Sequence, residues 1–216
     1  MVLLQNNAVF QVVGPSGSGK THFVCKLLQS NHLFKNRFRH IYWHQGGDGE
    51  AGLTQKEFCK LNNMTVIDGF DNNWSERLKA GDVIVIDDLY QEANKENDFN
   101  NLFTKIARHR NVTVIFITQN LFHQGGQHRT RNINVHYLVL FKNPRDQTVV
   151  EYVARQSFPH DKGFLIDAFH DATSKPHGYI FIDFTQQCSD DVRVKTDIFN
   201  MKNITVYKQS SRTRKK

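Results

Sequence analysis

Three cysteines in 216 residues are too few and too scattered to staple a fold. Cys25, Cys59 and Cys188 are odd in number and show no paired spacing. That argues against a disulfide framework or a zinc site and favours a reducing compartment. Proline is also sparse, at four residues, and no Pro/Ser-rich linker, internal repeat or low-complexity block divides the chain. The expectation at this length is one domain, or one domain with an appendage. No apolar run approaches the roughly 20 residues that a membrane helix needs; Val83-Ile84-Val85-Ile86 is typical, so no membrane partner is expected. The first residues, Met1 to Asn7, lack a basic start and a long apolar stretch, so no signal peptide is visible and secretion is not expected. The eleven histidines do not compensate for the missing thiols. His40 and His44 alone are four apart, and they flank a strand; His123 and His128 lie in a loop without a nearby cysteine or acid.

Aromatic and basic residues are plentiful. Seventeen Phe within a 39% hydrophobic composition supply a substantial core, which excludes wholesale disorder. The formal charge of +7 suggests a polyanionic partner. It is unevenly placed. Lys208, Arg212, Arg214, Lys215 and Lys216 carry five of those charges, leaving 23 basic against 21 acidic residues, a net +2, in residues 1–207. Residues 208–216 contain no apolar anchor and read as a mobile, disordered basic tail.

Short β-branched runs alternate with amphipathic stretches, as in a parallel α/β sheet. Strands are predicted at Val9–Val13, His40–Trp43, Met64–Ile67, Val83–Ile86, Val112–Ile117, Tyr137–Phe141 and Tyr179–Phe184. Helices are predicted at Lys20–Gln29, Asn97–His109, Thr148–Gln156 and Lys162–Ala172. Tyr42, Trp43 and the phenylalanines of the helices read as core.

Gly14-Pro15-Ser16-Gly17-Ser18-Gly19-Lys20-Thr21 fits G-x-x-x-x-G-K-[ST] and lies between an apolar strand and a helix. Its glycines let successive N–H groups turn onto phosphate oxygens, and the helix adds its positive end. Lys20 would reach the β- and γ-phosphates of ATP, and the Thr21 hydroxyl would hold Mg2+. Val83-Ile84-Val85-Ile86-Asp87-Asp88 is a buried strand ending in two acids. Asp87 is placed for the magnesium shell, and Asp88 to orient or deprotonate an attacking water. The strand Val112–Ile117 ends in Thr118-Gln119-Asn120, where Gln119 can contact both the γ-phosphate and the water.

These three motifs in this order resemble the additional-strand ATPases of the P-loop superfamily, and more narrowly the FtsK/HerA family of DNA pumps. The nearest likeness is to the compact genome-packaging ATPases of poxviruses, other large eukaryotic DNA viruses, virophages and Polinton-type elements. It is carried by Val83–Leu89, Val112–Asn120, Tyr137–Asp146, Ala154-Arg155-Gln156-Ser157-Phe158-Pro159 and His177–Asp183, and spans about residues 8–200. Phe-Lys-Asn-Pro-Arg-Asp followed by Ala-Arg-Gln is its most specific part. The resemblance implies a three-layer RecA-like α/β core with a mostly parallel sheet and a short C-terminal extension. It makes residues 1–207 a P-loop ATPase domain. It further implies a homo-oligomer, a pentameric or hexameric ring, that drives double-stranded DNA into a capsid through a capsid or portal partner. The location so implied is the virion, the host nucleus or a viral replication compartment. Many relatives in the wider family have Glu where this chain has Asp88.

A ring motor also needs an arginine from the adjacent subunit at the transferring phosphate. Arg129, Arg131 and Arg145 are the candidates, because they lie between the Gln119 strand and the next strand or just beyond it. Arg129 and Arg131, with the glycine-bearing loop His123–Arg131, could instead meet DNA phosphates. Gln45–Gly49 is a second loop candidate, and Lys35, Arg37 and Arg39 read as solvated surface. A replicative helicase or another ring remodeller could use the same core, but would separate strands. A nucleotide kinase would need an acceptor pocket and an arginine cluster that the sequence does not display. A GTPase is disfavoured because Asn94-Lys95-Glu96-Asn97 fails the guanine-reading pattern at its last position.

Overall fold

The computed structural model describes residues 4–46, 61, 63–69, 74–89, 109–121, 134–200 and 202–209. Six parallel strands run β1 (Val9–Val13), β2 (Ile41–Gln45), β3 (Met64–Asp68), β4 (Val83–Asp87), β5 (Thr113–Thr118) and β6 (Tyr137–Phe141). Their spatial order is β3-β2-β4-β5-β1-β6, and the antiparallel β7 (Tyr179–Asp183), β8 (Val194–Thr196) and β9 (Thr205–Tyr207) continue the sheet beyond β6. The central strands are apolar on both faces because both faces are covered. On one face Phe10, Val12, Val85, Ile115, Val139 and Phe181 pack with Phe23, Val24, Leu27 and Leu28 of α1 (Lys20–Gln29). On the other, Ile84, Ile86, Val114, Phe116, Leu138 and Leu140 pack with α2 (Thr148–Ser157) and α3 (Lys162–Ala172). The result is the expected three-layer α/β architecture, each fully buried Leu or Phe contributing about 1.5–3 kcal/mol of transfer free energy.

β5 lies between β1 and β4, in register with both: Val13 faces Thr118, and Asp87 faces Ile117. This inserted strand is the arrangement expected of additional-strand ATPases. Because β1, β4, β5 and β6 are parallel, their C-terminal ends share one edge, where open α/β sheets bind ligands.

Some boundaries differ from the sequence pattern. β2 continues through His44 and Gln45, polar residues that are nonetheless 1% and 2% exposed. β5 is shifted by one residue, and β8 and β9 were not anticipated. The predicted helix Asn97–His109 lies outside the described residues except for its last position. Arg39 is exposed, as expected, and also pairs through Nη2 with Oδ2 of fully buried Asp82 at 2.6 Å, at the edge opposite the strand C-termini. The scattered cysteines argued against a disulfide framework, yet Cys25, buried on α1, is disulfide-bonded, while Cys188 is free. Separation along the chain does not report distance in space. No helix among the described residues is long and apolar enough to cross a membrane.

Candidate functional site

The loop from Gly14 to Gly19 leaves β1 at the C-terminal edge of the sheet. Gly14 is buried: a Cβ there would lie 2.7 Å from both the Phe141 Cβ and the Ser18 Oγ. Its N–H donates to the Thr118 carbonyl (3.2 Å), tying the start of the loop to the end of β5. Gly17 and Gly19 have φ of +75° and +103°, left-handed values that glycine adopts without strain. Gly19 caps α1 without any side-chain hydrogen bond, and the helix turns its positive N-terminal end toward the loop. Lys20 Nζ donates to the Pro15 carbonyl at 3.0 Å. Burial lowers the Lys20 pKa, against the opposing pull of Asp88 and then Asp87.

Those two acids end β4. Alternation along the strand puts Asp87 on the α1 face, with Val83 and Val85. Burial, and then repulsion from Asp88, pushes the Asp87 carboxyl up to about 6, while Lys20 and the indole of Trp43 favour its charged form. Asp88 is exposed and takes φ 56°, unusual for a residue with a Cβ. Its N–H donates to the Ile117 carbonyl at 3.1 Å, and its Oδ2 accepts from Gln119 Nε2 at 2.5 Å. Lys20, Asp87, Asp88 and Gln119, drawn from three segments of the sequence, therefore converge on one edge. The Thr21 hydroxyl and the Asp87 carboxylate are hard oxygen donors, and a carboxylate destabilised by burial and a neighbouring acid suits a small divalent cation.

Arg145 is exposed, and its N–H donates to Asn143 Oδ1 at 3.1 Å. Asp146 Oδ1 accepts from the Thr148 N–H and hydroxyl at the start of α2, which holds its carboxyl below the usual range. Asn143, Asp146 and Gln147 border a narrow crevice shared with Gly14 and Gln119, placing this loop beside the site. Arg129 and Arg131, and the loop from His123, lie outside the described residues, as do residues 47–49.

No family model matches the sequence, and no curated protein matches it. Solved structures do match. The chain is similar to B204, the DNA-packaging ATPase from Sulfolobus turreted icosahedral virus. The TM-score is 0.59 at 12% identity, over 96% of this chain and 100% of that one. It is similar also to the genome-packaging NTPase B204 of Sulfolobus turreted icosahedral virus 2 in complex with AMPPCP. There the TM-score is 0.56 at 13% identity, again over 96% and 100%. The complex of that NTPase with ATP-gammaS gives 0.55 at 12% identity, over 89% and 98%. The fold is the one B204 has.

Within this fold, two residues were given no site role by sequence reasoning. Trp43 is fully buried, as expected of core, yet its indole also bears on Asp87. His177 Nδ1 lies 3.1 Å from the Ser18 carbonyl, and the His177 ring lines the Gly19 side of the phosphate loop. His177 opens the stretch His177–Asp183 that carries the resemblance, but that stretch implied no role for it at the phosphate loop. The available signal was the His-Gly pair entering β7: His177 has φ 59°, and a Cβ on Gly178 would lie 2.4 Å from the Ala172 carbonyl.

Proposed function

We propose that the chain is an ATP-hydrolysing DNA translocase that packages a viral double-stranded DNA genome into a capsid. The observation that carries this reading is the contact between Gln119 and Asp88 beside the phosphate loop, with β5 inserted between β1 and β4. The likeness to B204 over nearly the whole chain supports it.

In this reading Gly14, Pro15, Ser16, Gly17, Ser18 and Gly19 cradle the phosphates with backbone N–H groups. Lys20 moves from the Pro15 carbonyl to the β- and γ-phosphate oxygens. Thr21 and Asp87 would hold Mg2+, which would supply neutralising charge for the phosphates. Asp88 orients the attacking water and accepts its proton, and Gln119 holds Asp88 and senses the γ-phosphate. Arg145, or Arg129 or Arg131 in the loop before it, enters the neighbouring subunit's site in a pentameric or hexameric ring. Residues 1–207 form the ATPase domain, and the basic residues 208–216 provide an attachment for DNA or for a capsid or portal component.

ATPase rates with duplex, single-stranded and no DNA, measured beside the native mass of the ATP-bound form, test the proposal. Duplex stimulation without strand separation on forked DNA, together with a closed oligomer, is expected. Strand separation would reassign the chain to the helicases. Mixing wild type with Arg145→Ala or Arg131→Ala subunits should reduce activity more than in proportion for whichever arginine acts in trans.

A further inference from the structure

A cavity of about 410 Å3 opens beside the phosphate loop, and Gly19 lines both. Its walls are aromatic: Phe23 of α1, Phe141 at the end of β6, Tyr179 at the start of β7, and Phe199 from the segment after β8. The rings form one cluster around Phe23, with centroids 4.8 Å from Tyr179, 5.1 Å from Phe199 and 6.1 Å from Phe141. Phe23, Phe141 and Tyr179 are buried, whereas Phe199 is half-buried and forms the outer wall.

Phe199 is held by its neighbours. The Ile198 N–H donates to the Tyr179 hydroxyl at 3.1 Å, and the Ile198 side chain is fully buried. Asp197 takes φ 54°, and its carbonyl accepts from the Asn200 N–H at 2.9 Å, closing a tight turn that carries Phe199 across the cavity mouth. Lys26 Nζ sits 4.9 Å from the Phe199 ring centroid, a further restraint on the ring.

We propose that this cavity is the nucleobase slot of the site, and that it seats the base by stacking against Phe199 and its partners without reading the hydrogen-bonding edge. The proposal rests on the phosphate-loop reading above. A nucleotide whose β-phosphate lies at the N-terminus of α1 extends past Thr21 and His22, along the side of α1 that carries Phe23 and Lys26, and so into this cavity. Among the described lining residues the polar side chains, His22, Lys26 and His177, are exposed on the rim. The buried Tyr179 oxygen accepts from the Ile198 N–H, so the described wall offers a base at most that one hydroxyl donor and no amide or carboxylate to read its edge. A site that hydrogen-bonds a ligand's edge rejects the wrong ligand by about 10⁴-fold or more, whereas an apolar pocket discriminates by only about 10–200-fold. Stacking is tolerant of base identity and favours the larger ring system. The slot therefore accepts ATP and GTP with similar affinity and pyrimidine nucleotides less well.

Calorimetric titration of the full chain with ATP, GTP, CTP and inorganic tripolyphosphate, each with Mg2+, tests this. Wild type should bind ATP and GTP within about tenfold of each other and CTP more weakly. Phe199→Ala should weaken ATP and GTP by roughly tenfold, leave tripolyphosphate unchanged, and be rescued by Phe199→Tyr. Rejection of GTP by more than about 10³-fold would overturn stacking without edge recognition. Unchanged ATP affinity in Phe199→Ala, or an equal loss of tripolyphosphate binding, would remove Phe199 from the base site. Failure of wild type to bind tripolyphosphate would instead overturn the phosphate-loop reading, and the slot with it.

Discussion

Gln119 donates its side-chain N–H to Asp88 at 2.5 Å, across the ends of two adjacent parallel strands. The bond fixes a carboxylate that would otherwise rotate freely at an exposed edge. In the proposed mechanism the other carboxylate oxygen of Asp88 takes the attacking water. Aspartate is one methylene shorter than glutamate, so the orientation set by Gln119 matters more here than it would for the longer acid.

Asp88→Asn should therefore retain nucleotide affinity and lower kcat by about 10²–10⁴-fold, the usual worth of a general base. Gln119→Ala should lower kcat less and leave KM nearly unchanged. Because the two residues act as a unit, the double variant should lose little more than Asp88→Asn alone. Steady-state kinetics on the three variants give the answer, and fully additive losses would separate the two roles.

Asp87 is destabilised where it stands. Its pKa of about 6 exceeds the ordinary 3.8, so the folded, metal-free protein favours the protonated acid. The associated stabilisation is fully present below about pH 4 and is lost as the pH rises through 6. Asp87→Asn should then stabilise the chelator-treated protein by about 1–2 kcal/mol at pH 8, once solvent access at the sheet edge is counted, and by almost nothing at pH 4. Denaturant midpoints at the two pH values provide the test. The same variant should lose magnesium-dependent turnover, and Lys20→Ala, which removes the phosphate-binding ammonium, should lose nucleotide binding.

Gly14 sets the height of the phosphate loop above the sheet. An alanine Cβ would meet the Phe141 Cβ at 2.7 Å, an atom that no rotamer change can move away, and the Ser18 Oγ at the same distance. The loop must shift to relieve the contact. Gly14→Ala should remain folded at a cost of about 1–3 kcal/mol and lose at least tenfold in tripolyphosphate affinity. Titration beside a thermal melt separates these effects.

The central strands and the phosphate loop were legible because their signals are local. A strand buried on both faces must be apolar throughout, as Val83–Ile86 is, and a phosphate cradle needs glycine at set spacings. The antiparallel β8 was hidden by Lys195, a charged residue that is only 4% exposed. Its ammonium lies 3.7 Å from Asp183 and 6.0 Å from the Phe181 ring centroid, so a tertiary pair supplies what the sequence pattern could not display. The His44-Gln45 end of β2 was missed for the same reason. His177 reaches the phosphate loop, and Phe199 the cavity beside it, through turns at His177 itself and at Asp197, both with positive φ. No periodicity connects them to Gly19.

Gly178 links that distal part of the sheet to the phosphate loop. It follows His177, whose Nδ1 meets the Ser18 carbonyl, and it leads directly into Tyr179, which anchors Ile198. A Cβ at this position would lie 2.4 Å from the Ala172 carbonyl and 2.9 Å from the Thr173 Cα, both backbone atoms at the end of α3. The only relief is to displace the entry to β7. Gly178→Ala should thus be markedly destabilising, by about 1–3 kcal/mol as overpacking usually is, and should also weaken nucleotide binding by moving His177 and Tyr179 together. His177→Ala removes the contact with Ser18 while leaving the backbone path intact. It should change the melting temperature little and weaken tripolyphosphate binding by a few-fold, the worth of one hydrogen bond. If Gly178→Ala lowered stability while nucleotide affinity held, the β7 entry would be a packing feature without influence on the phosphate loop.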